Sequence, residues 1–404
     1  MFSRVVLLYL IGGKQMKKRF IVLIAMLLFA SLVFAQTLTS AKAAEMLAKS
    51  KAVDTSNLKT TDNQPLIEWE PLRVAPKRPA NPSALSEFDA LHWFDTEYAG
   101  YNVSKMAMPA RPSGGAIGKY VVLLQAGHHP YWTGYINGFK KVAEAYGMKY
   151  KIYNGNWTLD LQAQQAEQAI NDRPDIIVFA PSDQSGALPI LRKLWQAKIP
   201  VITSNTIPSD EAMKYTLSWV GPDDWGQFRK LARSMADKLG KKGGYAIVQG
   251  VPGTSCFNGR TWSVVTELAT YAPAMKLLDK DVSNYKSEPT FQMVSTWLSK
   301  YGNNLNAIVL PDDGETMAAC LQAVKNAGRK DIVIVAAGHS KTGLDAVKSG
   351  DAYALTYQSA ESDGAMGLQM AADWLNGYDL PNVRAIAQRI ITKEIVNNYY
   401  PTQW

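Results

Sequence analysis

Two clusters of side chains carry the chemistry open to this sequence. The first is His128, His129, Tyr131 and Trp132, which follow the apolar run Tyr120–Leu124. A run that short, and apolar throughout, suits a strand covered on both faces, as in a parallel sheet. Groups just beyond such a strand stand where open α/β sheets bind small ligands, so this stretch reads as the first wall of a ligand cleft. The second cluster is Asp312, Asp313 and Glu315. Paired-carboxylate catalysis needs a second acid at a set separation across the substrate, and none can be assigned here. A helix start also attracts acids without any function, and Asp313 reads as a helix cap. His128, His129 and His339 lack the fixed spacing of an HExxH metal site. No GxSxG nucleophile or Walker loop occurs, and Gly250-Val-Pro-Gly253 serves equally as a turn. The expectation is therefore non-covalent binding, with no catalytic residue, metal or cofactor.

Strands and helices alternate in a way that positions these groups. After the first run, Pro130 suits a first helical turn. Tyr135, Phe139, Val142 and Tyr146 then form one helical stripe, and Gly147 suits its left-handed end. Further strands are expected at Tyr150–Tyr153, Asp175–Phe179, Val201–Thr203, Tyr245–Val248, Met275–Leu278, Ala307–Leu310, Ile332–Val335 and Ala352–Thr356. Helical stripes such as Trp225, Phe228, Leu231, Ala232, Met235 and Leu239 lie between them, which argues for βαβ units and parallel sheets. The second set repeats the first. DIIVFAPSD with IPVITSN has a counterpart in AIVLPDDG with DIVIVAAG, each placing Pro and Asp just past an apolar strand. Two similar α/β lobes are expected, with a cleft between them.

The chain is long enough for two domains, and 47% hydrophobic with 19% charged residues marks a globular protein. Its net charge of +8 overstates its basicity. Residues 1–35 hold five bases and no acid, and without them the excess is about +3. That is too little to argue for nucleic acid or an anionic membrane. Lys17-Lys18-Arg19, the apolar Phe20–Phe34 and Val33-Phe34-Ala35 form a signal segment cut near Ala35, so an exported, periplasmic protein is expected. Residues 36–119 are Pro-rich, with Ser40–Lys49 read as a helix capped by Ser40. Trp69, Phe88, Trp93, Phe94, Tyr98 and Tyr101 are too many large rings for a solvated linker, so this extension should pack partly on the body. Cys256 and Cys320 read as separate thiols.

With signal, repeat and two lobes in place, the chain resembles the periplasmic sugar-binding proteins of the ribose/galactose type, receptors of ABC importers related to LacI-type repressors. The resemblance spans Tyr120 to about Thr392. HHPYWTGYINGFKKVAEAYG is similar to the family's first-helix segment, with His129-Pro130-Tyr131-Trp132 in place of Asn-Pro-Phe-Phe. IPVITSN looks like its fourth strand, with Asn205-Thr206 for the usual Asp-Arg. GVPGTSCFNGR resembles the loop whose Arg clamps sugar hydroxyls, which implies that role for Arg260. VSNYKSEPTFQ puts Tyr285 where a stacking aromatic stands, and LPDDGETMAA puts Asp312 at a ligand position. In AAGHS, Gly338 or His339 replaces a binding Asp, and ALTYQSAESDGAMG puts Gln358 beside a hinge.

The resemblance implies two doubly wound parallel-sheet lobes of the type I periplasmic binding protein class. Residues 120–221 plus 359–388 would form one lobe, and 222–358 plus 389–404 the other. A sugar or cyclic polyol offers a ring of hydroxyls around an apolar C–H face. Tyr131, Trp132 and Tyr285 suit the faces, while Asn205, Arg260, Asp312 and Gln358 suit the hydroxyl rim. The function implied is a solute receptor, expected to be monomeric, that delivers its ligand to a membrane permease. A sugar-processing enzyme on the same scaffold and a sensory receptor remain the alternatives. A repressor would need a helix-turn-helix where the signal and Pro-rich segment stand.

Overall fold

The computed structural model describes Val22 and residues 39–404, so the signal segment and its cleavage point lie outside the described residues. In chain order the elements begin with a helix over residues 39–51 (α1), then β1 (Trp69–Glu70) and α2 (Phe94–Glu97). The first α/β run is β2 (Tyr120–Gln125), α3 (Pro130–Ala145), β3 (Lys149–Asn154), α4 (Leu159–Asp172), β4 (Ile176–Phe179), α5 (Ala187–Gln196), β5 (Val201–Ser204), α6 (Asp210–Met213) and β6 (Ser218–Gly221). A second run follows with α7 (Asp224–Lys238), β7 (Lys242–Gln249), α8 (Ser255–Tyr271), β8 (Ala274–Val282), α9 (Ser287–Tyr301) and β9 (Leu305–Val309). It continues through α10 (Glu315–Asn326), β10 (Val333–Gly338), α11 (Lys341–Ser349) and β11 (Ala354–Tyr357). The chain then returns as α12 (Ala360–Leu375), β12 (Val383–Ile386) and β13 (Arg389–Thr392).

The strands form two sheets, ordered β1-β12-β6-β5-β4-β2-β3 and β13-β11-β10-β9-β7-β8. Both are parallel except at one edge, where β1 meets β12 and β13 meets β11 antiparallel. Helices cover both faces, which explains why Val121–Leu124 of β2 and all of β4 are apolar without alternation and buried. The chain passes from the first sheet to the second after β6, after β12, and back before α12. Helix α12 is buried nearly all round and lies against α3. Two glycines permit that contact: a Cβ on Gly138 would stand 1.8 Å from the Glu361 carbonyl oxygen, and one on Gly364 1.9 Å from that of Tyr135.

Strands β6, β12 and β13 were not among those expected from the sequence. Each spans four residues, one of them Ser218, Arg384 or Arg389, so no unbroken apolar run marks it as one marks β4. Ser40 lies inside α1 rather than ahead of it, so it is not the cap.

The extension wraps both lobes. Ser50 and Asn376 share a buried hydrogen bond at the end of α12, and β1 lengthens the first sheet. The chain then crosses to the second lobe, where Trp93 stacks on Trp262 of α8 with ring centroids 4.5 Å apart. It returns to the first, where Asn382 donates to the Val103 carbonyl. Glu97 pins the crossing, with 1% of its side chain exposed, between Arg73 and Arg229. Removing one member of a buried charge cluster leaves the others uncompensated. Glu97→Ala should therefore cost about 3 kcal/mol, read as a lower urea midpoint; an unchanged midpoint would show the extension to be energetically detached.

Candidate ligand-binding cleft

Residues that follow the carboxyl ends of the strands line one cavity of about 610 Å³, open space at its mouth included. From the first lobe come His129, Tyr131 and Trp132 after β2, Trp157 after β3, and Asn205 and Thr206 after β5. Thr254, Cys256 and Arg260 come from the loop and first turns of α8. Tyr285 follows β8, Asp312 β9 and Gln358 β11, while Gly338 ends β10 and Trp404 completes the lining. The lobes touch around this space: the Gln184 amide donates to the Gly253 carbonyl at 2.9 Å, and that of Ile207 to Ser255 Oγ at 3.1 Å.

Local backbone chemistry aims these groups. His129 caps α3, its Nδ1 accepting from the Tyr131 amide at 3.2 Å. That leaves the proton on Nε2, which stands 3.6 Å from Asp312 Oδ2 across the cleft. Asn205 takes a left-handed φ of 61°, which Asn tolerates. Tyr285 takes the same region at φ 60°, where an aromatic residue is strained. Its ring then lies so close to Gly250 that a Cβ there would meet it at 2.6 Å. The sequence's Gly250–Gly253 pair thus serves to seat Tyr285 and the lobe contact.

Arg260 is the hub of the polar groups. Its Nε donates to Asp224 at 2.8 Å, one terminal nitrogen to the Pro311 carbonyl, and the other to Gln358 Oε1 at 2.9 Å. Three of its five N–H donors are engaged. Burial raises the Asp224 carboxyl above its ordinary range despite Arg260 beside it. On the opposite wall Asp363 lies fully buried behind the lining. It accepts from Tyr131 Oη at 2.8 Å and Asn205 Nδ2 at 2.7 Å, so it fixes two cavity residues at once. Nothing in the sequence marked Asp363. Burial pushes its carboxyl up to about 7, with the hydrogen bonds of Asn205 and Tyr131 opposing the shift. The Tyr131 hydroxyl is likewise driven up by burial, then by the neighbouring Asp363.

Of the residues singled out in the sequence, only His339 among the site candidates is absent from the lining. It is fully buried, its Nε2 3.0 Å from Asp62 Oδ2 of the extension. Gly338 occupies the wall instead, because successive residues of an extended chain face opposite ways. The three histidines do not converge: His128 meets Asn154, and His339 meets Asp62. Asp313 is not the cap of α10, whose cap position is Gly314. It is buried, accepts from the Ser340 amide at 2.9 Å ahead of α11, and is pushed up to about 8 by burial and then by Asp312. Trp157, Thr254, Cys256 and Trp404 were missed. Trp157 shares the strand-end position that marked the first wall, a signal that could have found it; Trp404 has no such signal.

A fold of two parallel-sheet lobes with a strand-end cleft between them defines the type I periplasmic binding proteins. The chain belongs to the family described as periplasmic binding protein domain, whose model matches residues 117–379. It is 29% identical over 260 residues to the xylitol-binding protein of Mycolicibacterium smegmatis, covering 64% of this chain and 73% of that one. It is 24% identical over 250 residues to the ribose import binding protein of Bacillus subtilis, covering 62% and 79%. Among solved structures it is similar to an ABC transporter solute binding protein from Bacillus halodurans with bound myo-inositol. That TM-score is 0.66 at 20% identity, over 72% of this chain and all of the other.

The raised carboxyls set a pH dependence. Both lie above the unfolded value of about 3.9. Their contribution to stability is therefore complete below that pH and is lost as pH rises through about 7 for Asp363 and about 8 for Asp313. Asp363→Asn keeps an oxygen for Tyr131 and Asn205 but cannot ionise. Its melting temperature should fall less than the wild type's between pH 5 and 8; parallel curves would contradict the assignment.

Proposed function

We propose that this chain is an exported solute receptor that captures a small sugar or cyclic polyol between its lobes and hands it to a membrane permease of the ABC type. The observation that carries this reading is that the one cation of the cavity lining is already paired. Arg260 is matched by Asp224, and Asp312 accepts from Thr316 Oγ1 and the Gly314 amide, so no unpaired cation awaits an anionic ligand. What remains is a set of amides, hydroxyls and flat rings, the complement of a neutral ring of hydroxyls with apolar faces. The relatives' names point the same way, to xylitol and ribose, and a similar solved structure holds D-allose.

The lobes are read as 120–221 with 359–388 and 222–358 with 389–404, rocking about the crossings near Gly221, Gln358 and 386–390. Closure on the ligand gives the permease a distinct state to recognise. The relatives are binding proteins, and this reading has no turnover, no nucleic-acid partner and a monomeric chain acting in the periplasm after loss of residues 1–35. Among the described residues no helix is long and apolar enough to cross a membrane.

A ligand that binds only the native state raises the melting temperature. A thermal screen of residues 36–404 against sugars and polyols should return a stabilising member whose concentration stays constant during incubation; its conversion to product would overturn the receptor reading. Tyr285→Ala should weaken that ligand by about tenfold or more, an aromatic contact's worth of affinity. Arg260→Ala should lower both affinity and melting temperature, because it strands buried Asp224. Calorimetric titration of each variant checks both, and wild-type affinity in Tyr285→Ala would remove it from the site.

A further inference from the structure

One wall of the cleft comes from neither α/β run. After a 3-10 turn at Val396–Tyr399 the chain leaves β13 and brings Trp404 to the cavity. The backbone of Trp404 is held from both sides. Its carbonyl accepts from the Lys341 amide at 3.1 Å, at the start of α11. Gln403 before it is a buried amide with every capacity filled. Its Oε1 accepts from Ser359 Oγ and the Glu361 amide, each at 3.0 Å. Its Nε2 donates to Asp62 Oδ1 at 2.8 Å and to Tyr357 Oη at 3.4 Å. Its backbone N–H donates to His339 Nδ1 at 3.3 Å. A buried amide that makes all four of its hydrogen bonds is held in one orientation, so the contacts of Gln403 with the extension, the start of α12 and the second lobe dictate where residue 404 stands.

The indole it presents bridges both lobes. Its ring lies 5.4 Å from that of His129 and 6.1 Å from that of Tyr131, edge-on to each. On the other side a Cβ on Gly314, in the loop that carries Asp312, would stand 3.2 Å from its Cζ3. The residue lines the cavity and is partly exposed, while its indole Nε1 is buried without a partner. We propose that Trp404 contacts the ligand and is a specificity-determining residue, limiting the cleft to one ring-sized hydroxylated molecule. This also explains a use for the extension: Asp62 anchors the amide that sets the indole's place. The inference rests on the reading of the cleft as a sugar or polyol site.

The test uses the chain from residue 36 onward, with Trp404→Ala and Trp404→Phe. Calorimetric titration measures xylitol, myo-inositol, D-ribose and D-allose, together with O-methyl derivatives of whichever binds the wild type best. The wild type should favour the free ligand over its bulkier derivative. In Trp404→Ala that preference should shrink at least tenfold, with Trp404→Phe between the two; the Phe variant keeps a packed ring should the Ala variant fail to fold. A preference within threefold of wild type in both variants would overturn the proposal, because a merely structural role lowers all affinities together. Should no panel member bind the wild type, the sugar or polyol reading itself fails and this inference falls with it.

Discussion

The guanidinium of Arg260 sits where the start of α7, the loop after β9 and the end of β11 meet, and the geometry of the cleft depends on it. A planar fork of donors satisfies three acceptors at fixed angles, here the Asp224 carboxylate, the Pro311 carbonyl and Gln358 Oε1. Gln358 also accepts from Gln227 of α7. The crossing at the end of β11 is thereby tied to the second lobe. A buried pair of this kind adds little net stability over an apolar filling, whereas loss of one partner is costly. Its value lies in specification: it neutralises Asp224 while leaving two N–H groups of Arg260 for a ligand. Asp363 does the matching work on the other lobe, where one carboxyl positions both Tyr131 and Asn205.

The extension is as much part of the body as the lobes are. A two-lobed receptor that opens needs a hinge, and a strap crossing from one lobe to the other limits how far it swings. Arg73 and Arg229 hold Glu97, Trp93 stacks on Trp262, and Lys230 pairs with Glu70. Partly exposed pairs of the last kind are weak, so the buried Glu97 cluster and the stacked indoles dominate the strap.

Much of the architecture was legible because burial on both faces of a strand leaves an apolar run that needs no tertiary knowledge to see. The rule that ligands meet strand ends then placed His129, Tyr131 and Trp132 at a wall. Legibility failed where tertiary placement overrides local pattern. His339 follows a wall residue in an extended stretch, so its side chain turns the opposite way, toward Asp62. Asp363 lies on α12, which is buried nearly all round, so its carboxyl is enclosed where an amphipathic helix would expose it. Trp404 reaches the cleft through a knot of contacts with residues 62, 339, 357, 359 and 361, and no local spacing encodes that.

A cleft whose one cation is already paired suits a neutral, hydroxyl-rich molecule better than an anion. The most direct measurement is a calorimetric comparison, at one pH and salt, of a neutral pyranose that binds with the uronate made by oxidising its primary alcohol, which keeps the ring, such as allose against alluronate. The anion should bind at least a hundredfold more weakly, since no unpaired cation in the cavity offsets its desolvation. An anion bound as tightly as the neutral sugar, or more tightly, would contradict it.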